Sequence, residues 1–339
     1  MELTAVVTYS EVSHADAFSG EKMNLSDYYS NCDLCHRHCH VNRLAGQIGY
    51  CKQTSELRAA RAALHFWEEP CISGSAGSGA VFFSGCSLQC VFCQNHDIAI
   101  GHTGKTLTSH HLSDIFLRLQ EEQASNINLV TPTHFIPDIV SALEEAKSHG
   151  LTIPVVYNTG SYETVDALHM LDGLVDIYLP DLKYYSPDIS MHYANTQDYF
   201  ICASQAVSEM YRQVGMPVFS LPADQDPAAI SLADQSEQYL MKRGVIVRHL
   251  LLPGCSHDSR EIISYLHQTY QDKVFVSVMN QYTPIKIPAG YEELEHIVSD
   301  REYERIIHFI LSLEMENVFI QDGGTAQESF IPPFNCDGI

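Results

Sequence analysis

Residues 80–93 read AVFFSGCSLQCVFC, an apolar run that ends at Gly85 and passes straight into three cysteines. The run predicts a strand over Ala80–Ser84, apolar on both parities, as a strand covered on both faces should be. Cys86, Cys90 and Cys93 follow in the spacing C-x3-C-x2-C. A loop of that length can turn all three sulfurs to one side, and three soft thiolates can wrap a single iron–sulfur cubane. Three ligands for four irons leave one iron open, which a substrate-binding cluster needs and an electron-transfer cluster lacks.

Outward from this loop the pattern repeats. Further strands are predicted at Asn126–Val130, Ile153–Asn158, Val175–Leu179, Val245–Leu252 and Lys273–Met279. Between them lie the amphipathic stretches 109–123, 136–150, 162–172 and 259–271. Alternating β and α units imply a parallel sheet. Six units fall short of the eight of a closed barrel. The expected fold is therefore α/β, a partial (β/α)6 TIM-like barrel with a small N-terminal Cys-rich metal-binding module. The expected divisions are an arm at 1–30, the Cys-rich module and a linking helix (SELRAARAALHFWEEP, 55–70) at 31–75, and the barrel at 76–320. An insertion is expected near 217–243, and a tail at 321–339 should pack on the barrel. In such a sheet, sites assemble at the carboxyl ends of the strands, which is where the cysteine loop lies.

Composition limits the function classes. The 339 residues carry 19 Lys plus Arg against 42 Asp plus Glu, a formal charge of −23, which disfavours a nucleic-acid partner. No apolar run is long enough to span a membrane, and the start shows no export signal, so the expected location is cytoplasmic. Eight of the 11 cysteines fall between Cys32 and Cys93, a clustering that favours metal binding over disulfides. Cys71, Cys202, Cys255 and Cys336 stand alone and read as buried structural thiols.

The loop resembles the signature of the radical S-adenosylmethionine (SAM) superfamily, including the aromatic Phe92 before the last cysteine. Read in order, EEPCISG, GSGAVFFSGCSLQCVFCQNHDI, INLVTPTHF, VVYNTGSYE, VDIYLPDLKYY, VIVRHLLLPG and VSVMNQYTP resemble the pyruvate formate-lyase activating enzyme-like branch over roughly 31–335. The resemblance implies a [4Fe–4S] cluster on Cys86, Cys90 and Cys93 that reductively cleaves SAM to a 5′-deoxyadenosyl radical for hydrogen abstraction. It also implies an oxidoreductase fed by a flavodoxin- or ferredoxin-type donor, with a glycyl radical enzyme as protein substrate. A radical SAM enzyme acting on another peptide or a small metabolite, and a non-catalytic iron–sulfur or zinc protein, are the alternatives.

Asp181 and Lys183 follow a predicted strand, and positions two apart face one side. Asp-x-Lys there resembles the glycyl-radical-enzyme activases, where it lies beside SAM. Arg248-His249 resembles the RHLVLPG-like strand of the same enzymes, which makes both candidates for SAM; a core histidine bonded to a backbone carbonyl is the competing reading of His249. Where relatives carry a Gly-Gly-Glu-Pro-like turn this chain departs and has Thr131-Pro132-Thr133-His134, so either the hydroxyls of Thr131 and Thr133 or exposed carbonyls are expected to do that job. Asn158 and Gln281 end strands, and with Phe92 they complete the expected cofactor-binding set.

Residues 31–51, NCDLCHRHCHVNRLAGQIGYC, place Cys32, Cys35, Cys39 and Cys51 in one compact segment. Four thiolates can close a zinc site or hold a second iron–sulfur centre, with His36, His38 and His40 as alternative ligands.

Overall fold

The computed structural model describes residues 25–101, 103–220, 239–321 and 331–339. Most of the arm and of the insertion, and residues 322–330 of the tail, therefore lie outside the described residues. The chain forms one open, mainly parallel sheet. Its strands are β1 (Arg58–His65), β2 (Ser78–Phe83), β3 (Lys105–Thr106), β4 (Ile127–Val130), β5 (Val155–Thr159), β6 (Ile177–Pro180), β7 (Val218–Phe219), β8 (Met241–Leu250), β9 (Phe275–Met279) and β10 (Val318–Ile320). They lie in the order β10-β9-β8-β6-β5-β4-β2-β1-β3, with β7 paired to β8. From β2 to β10 every neighbour on this path is parallel, whereas β1 and β3 run antiparallel at one edge. Among the described residues nothing pairs β10 with β3, so the barrel is not closed.

Helices cover the outer face: α1 (Ser109–Glu121), α2 (Ile136–Ser148), α3 (Val165–His169), α4 (Pro187–Ala194), α5 (Tyr199–Val214), α6 (Ser256–Tyr270) and α7 (Asp300–Ser312). The two periodicities meet here. Phe116 of α1, Leu143 of α2, Met210 of α5 and Ile262 of α6 share a core with Val81, Leu129, Tyr157 and Val247 of the strands. The intervening strand residues face inward. Val156, Ile177, Leu179, Ile246 and Phe275 form a second cluster with Cys71 and Ile72 of the short helix Pro70–Ser73, which plugs the lumen.

The linking helix expected over 55–70 is corrected: Arg58–His65 is strand β1, antiparallel to β2. Its alanines favour a helix in isolation, but here their small side chains admit close neighbours on both sides. The Cys336 amide donates to the Ala60 carbonyl and the Ala62 amide to the Asp337 carbonyl. Tertiary hydrogen bonding outweighs local propensity. Several elements had no counterpart in the sequence reading, among them α4, the long helices α5 and α7, the two-residue strands β3 and β7, and β10, which adds a seventh parallel strand.

Candidate functional site

The cysteine loop begins where β2 ends. Gly85 has φ +93, a conformation that glycine adopts at no steric cost, and it turns the chain over the sheet. The loop is held from several sides: the Val91 amide donates to the Tyr193 carbonyl, and Cys93 to Cys90. Tyr184 donates its hydroxyl to the Cys90 sulfur at 3.2 Å. Phe92 packs edge-on against Tyr184, Tyr193 and Tyr282. Burial pushes the Cys90 thiol up, with Lys183 opposing, and burial together with Cys86 and Cys90 pushes Cys93 up to about 12. Protonated at neutral pH, these thiols release protons when they take a metal.

Cys86, Cys90 and Cys93 open on a cavity of about 760 Å³ that runs along the lumen; of the eleven cysteines they are the ones that line it. Its polar wall centres on Arg248. Nε donates to Asp181 at 3.0 Å, Nη1 to Glu68 at 3.1 Å and Nη2 to the Asn158 side-chain oxygen at 2.5 Å. Lys183 bonds the other Asp181 oxygen at 2.5 Å. Burial pushes the Asp181 carboxyl up, but Lys183 and Arg248 outweigh it and hold it below the usual carboxylate range. Glu68 also accepts from Asn128 at 2.8 Å. Burial raises both Glu68 and Glu69 against the pull of Arg248. One Glu69 oxygen is buried without a hydrogen-bond partner among the described residues.

Of the residues singled out from sequence, Phe92, Thr131, Thr133, Asn158, Asp181, Lys183, Arg248 and Gln281 line this cavity with the three cysteines. Thr133 donates its hydroxyl to buried Glu163. His249 is corrected. Arg248 faces the lumen, so the next residue of the strand faces the helices. There Nδ1–H donates to the Leu182 carbonyl at 2.8 Å and Nε2 accepts from Ser259 at 2.9 Å. Burial lowers its pKa to about 4, the signature of a neutral core histidine. The sequence reading missed Glu68, Glu69, Asn128 and Ser277, all of which reach the lumen or its wall. Alternation along INLV was the available signal for Asn128, which lies opposite in parity to outward-facing Leu129.

The structure also gathers Cys32, Cys35, Cys39 and Cys51. Burial raises Cys35 and Cys51, and in each case the charges of the other module thiols add to the rise, while Arg43 opposes it at Cys51. Arg43 is fully buried. It donates to the carbonyls of His134 and Thr54 and approaches the Cys32 sulfur at 3.8 Å. None of these partners is a carboxylate. His38 and His40 turn outward to Asp33, an exposed group, whereas His36 Nε2 is buried without a hydrogen-bond partner among the described residues.

Fold and loop together define an open α/β barrel with a three-thiolate loop at the carboxyl ends of its strands. Residues 72–181, the part that carries the loop, match the family model described as a 4Fe-4S single cluster domain. Beyond that segment, an uncharacterized protein of Methanocaldococcus jannaschii is 25% identical over 300 residues, covering 86% of this chain and 77% of the relative. Among solved structures, Streptococcus suis SuiB bound to precursor peptide SuiA aligns with a TM-score of 0.46 at 12% identity, covering 71% of this chain and 47% of that one. SuiB bound to S-adenosylmethionine aligns at 0.43 with the same identity, covering 49% of its chain. The chain thus spans about half the length of these structures. Among the described residues no helix is long and apolar enough to cross a membrane.

Proposed function

We propose that the protein is a radical SAM enzyme of the activating-enzyme-like type. One observation carries the reading: three thiols, and no fourth, line a large cavity whose other walls carry paired charges. Such a set fits a [4Fe–4S] cluster with one iron open to a ligand. When bound, that cluster supplies one electron to SAM and so generates a carbon radical able to abstract hydrogen.

The chain's own residues have four tasks. Cys86, Cys90 and Cys93 would hold the cluster through their sulfurs. Asp181 and Glu68 present carboxylates suited to the amino and sulfonium charges of SAM, whereas Lys183 and Arg248 suit its carboxylate. Thr131 and Asn158 offer polar groups for the ribose, and Phe92 and Met279 offer apolar surface for the adenine. The plug of Cys71 and Ile72 closes the far end of the lumen and limits entry of water.

The test is anaerobic reconstitution with iron and sulfide, chemical reduction and addition of SAM. 5′-Deoxyadenosine should form, and Cys90→Ala should abolish it. Failure of the well-folded, iron-loaded protein to cleave SAM would sink the reading. Activation of a glycyl radical enzyme is the finer form of the proposal, supported by Asp181 and Lys183 at the cavity. It predicts a glycyl signal in electron paramagnetic resonance (EPR) when a candidate partner is added.

A further inference from the structure

We infer that Cys32, Cys35, Cys39 and Cys51 bind a second iron–sulfur cluster rather than zinc, and that this cluster passes electrons to the Cys86–Cys90–Cys93 site. The electron-passing half rests on the function proposed above; the identity of the metal does not.

The spacing of the sulfurs separates the two metals. A tetrahedral zinc site with Zn–S bonds near 2.3 Å brings every pair of sulfurs to about 3.8 Å. Among the described residues, the group of three candidate ligands lying within 4.8 Å of one another is Asp33, His38 and His40, and no three module thiols form such a group. Yet the set is compact: the Tyr50 amide donates to the Cys39 sulfur at 3.3 Å, and Arg43 reaches the Cys32 sulfur at 3.8 Å. Two of the sulfurs flank one point: a Cβ built on Gly49 would touch the Cys39 and the Cys51 sulfurs, each at 3.6 Å. No three of the four sulfurs thus stand as close as the corners of a zinc tetrahedron, whereas the ligands of a cubane, each on a different iron, stand further apart. Cys86, Cys90 and Cys93, in the segment that matches a 4Fe-4S domain, likewise form no such tight group. Buried Arg43 supplies a permanent cation beside this set, with carbonyls and the Cys32 sulfur as partners. That suits a centre whose four thiolates leave it negative.

The module's position gives the cluster its role. The Cys51 carbonyl lies so close to Gly85 that a Cβ there would come within 2.5 Å of it, and Gly85 precedes Cys86. The Tyr50 carbonyl accepts from the Gln89 side chain at 2.5 Å, and Gln89 precedes Cys90. One hydrogen bond and two residues therefore connect a ligand of one set to a ligand of the other. Electron balance is simple. A low-potential one-electron carrier reduces the module cluster by one electron and is itself oxidised by one. The module cluster then returns to its oxidised state as the loop cluster gains that electron, and no bond is made or broken in either transfer.

The experiment uses the full chain, purified anaerobically and passed through a chelator column to strip metal from exposed Asp33, His38 and His40. The wild type should hold about eight irons per chain, and Cys86→Ala/Cys90→Ala/Cys93→Ala about four, with matching sulfide and no stoichiometric zinc. After reduction, the triple variant should keep an EPR signal that SAM does not alter. In freeze-quenched wild type mixed with a reduced flavodoxin, that signal should precede the SAM-sensitive one. One zinc per chain in the triple variant, or a triple variant free of both metals, would overturn the assignment while leaving SAM cleavage by the wild type to be judged separately. A SAM-sensitive signal that appears first would overturn the transfer. Because the triple variant leaves the module intact, loss of folding in module variants does not confound the result.

Discussion

Replacing Arg248 with methionine tests whether the lumen is organised by charge balance. The cavity wall holds the carboxylates of Glu68, Glu69 and Asp181 against the cations Arg248 and Lys183. Arg248→Met removes three hydrogen bonds, two of them to carboxylates, and leaves Lys183, bonded to Asp181, as the remaining cation of that wall. Breaking a buried pair from one side costs about 3–5 kcal/mol, because the partner stays behind as an uncompensated charge. Unfolding entropy of about 2.1 cal/mol/K per residue over 339 residues gives about 0.7 kcal/mol/K, so the melting midpoint should fall by about 4–7 °C. Glu68→Gln in the same background removes the stranded charge while keeping an acceptor for Asn128, and it should restore about 1–3 kcal/mol. The assay is a double-mutant cycle by urea unfolding of the metal-free protein, where a bound cluster does not blur the transition. A loss under about 1 kcal/mol for Arg248→Met, or a double variant no more stable than the single one, would refute the charge-balance argument.

Gly85→Ala and Gly150→Ala form a matched pair. Both glycines have positive φ, +93 and +100, but a Cβ at Gly85 meets the Cys51 carbonyl at 2.5 Å while one at Gly150 meets nothing within 4 Å. Each should lose about 1–2 kcal/mol from backbone conformation, and Gly85→Ala a further 1–3 kcal/mol or so from overpacking. Calorimetry reads this difference, and only Gly85→Ala should also lose iron; equal effects would count against close packing of module and loop. The third prediction concerns pH. Burial lowers His134 to about 3 and His249 to about 4, so both are neutral in the fold and take up protons on unfolding. The stability they contribute is complete above the ordinary histidine value near 6.5 and is lost as pH falls from there towards their folded values, by up to about 1.4 kcal/mol per pH unit for each. Unfolding of wild type and of His249→Asn at several pH values should show a shallower slope in the variant between about pH 6.5 and 4. Parallel slopes would contradict a neutral, buried His249.

The cysteine loop was legible because metal ligation is local: three residue identities within eight positions carry it, and the preceding apolar run says which end of a strand it occupies. The same holds for the six predicted parallel strands, where burial on both faces leaves its mark on every residue. What escaped was long-range. Arg58–His65 reads as helix by its alanines and becomes strand only because β2 and the segment containing Cys336 and Asp337 supply hydrogen bonds. That error hid Glu68 and Glu69, which as the end of a helix look like solvent-exposed acids but after a strand fold back into the lumen. His249 was legible in principle, since Arg248 and His249 cannot both face the lumen from one extended strand.

The division of the chain into module and barrel also changes meaning once Arg37 is considered. Its guanidinium lies 3.8 Å from the centre of the Tyr50 ring. It donates to the carbonyls of Ser87 and Leu88 in the cysteine loop and of Ala194 and Asn195 at the end of α4. Two of those carbonyls lie between Cys86 and Cys90, so the arginine fixes the backbone that aims the sulfurs. A residue flanked by Cys35 and Cys39 thereby sets the geometry of the three-cysteine loop. Preorganising a ligand loop requires rigid support from outside it, and here that support is the amino-terminal module. If the module holds a metal as inferred above, its removal should therefore loosen the loop as well as interrupt the electron path, because the same backbone serves both.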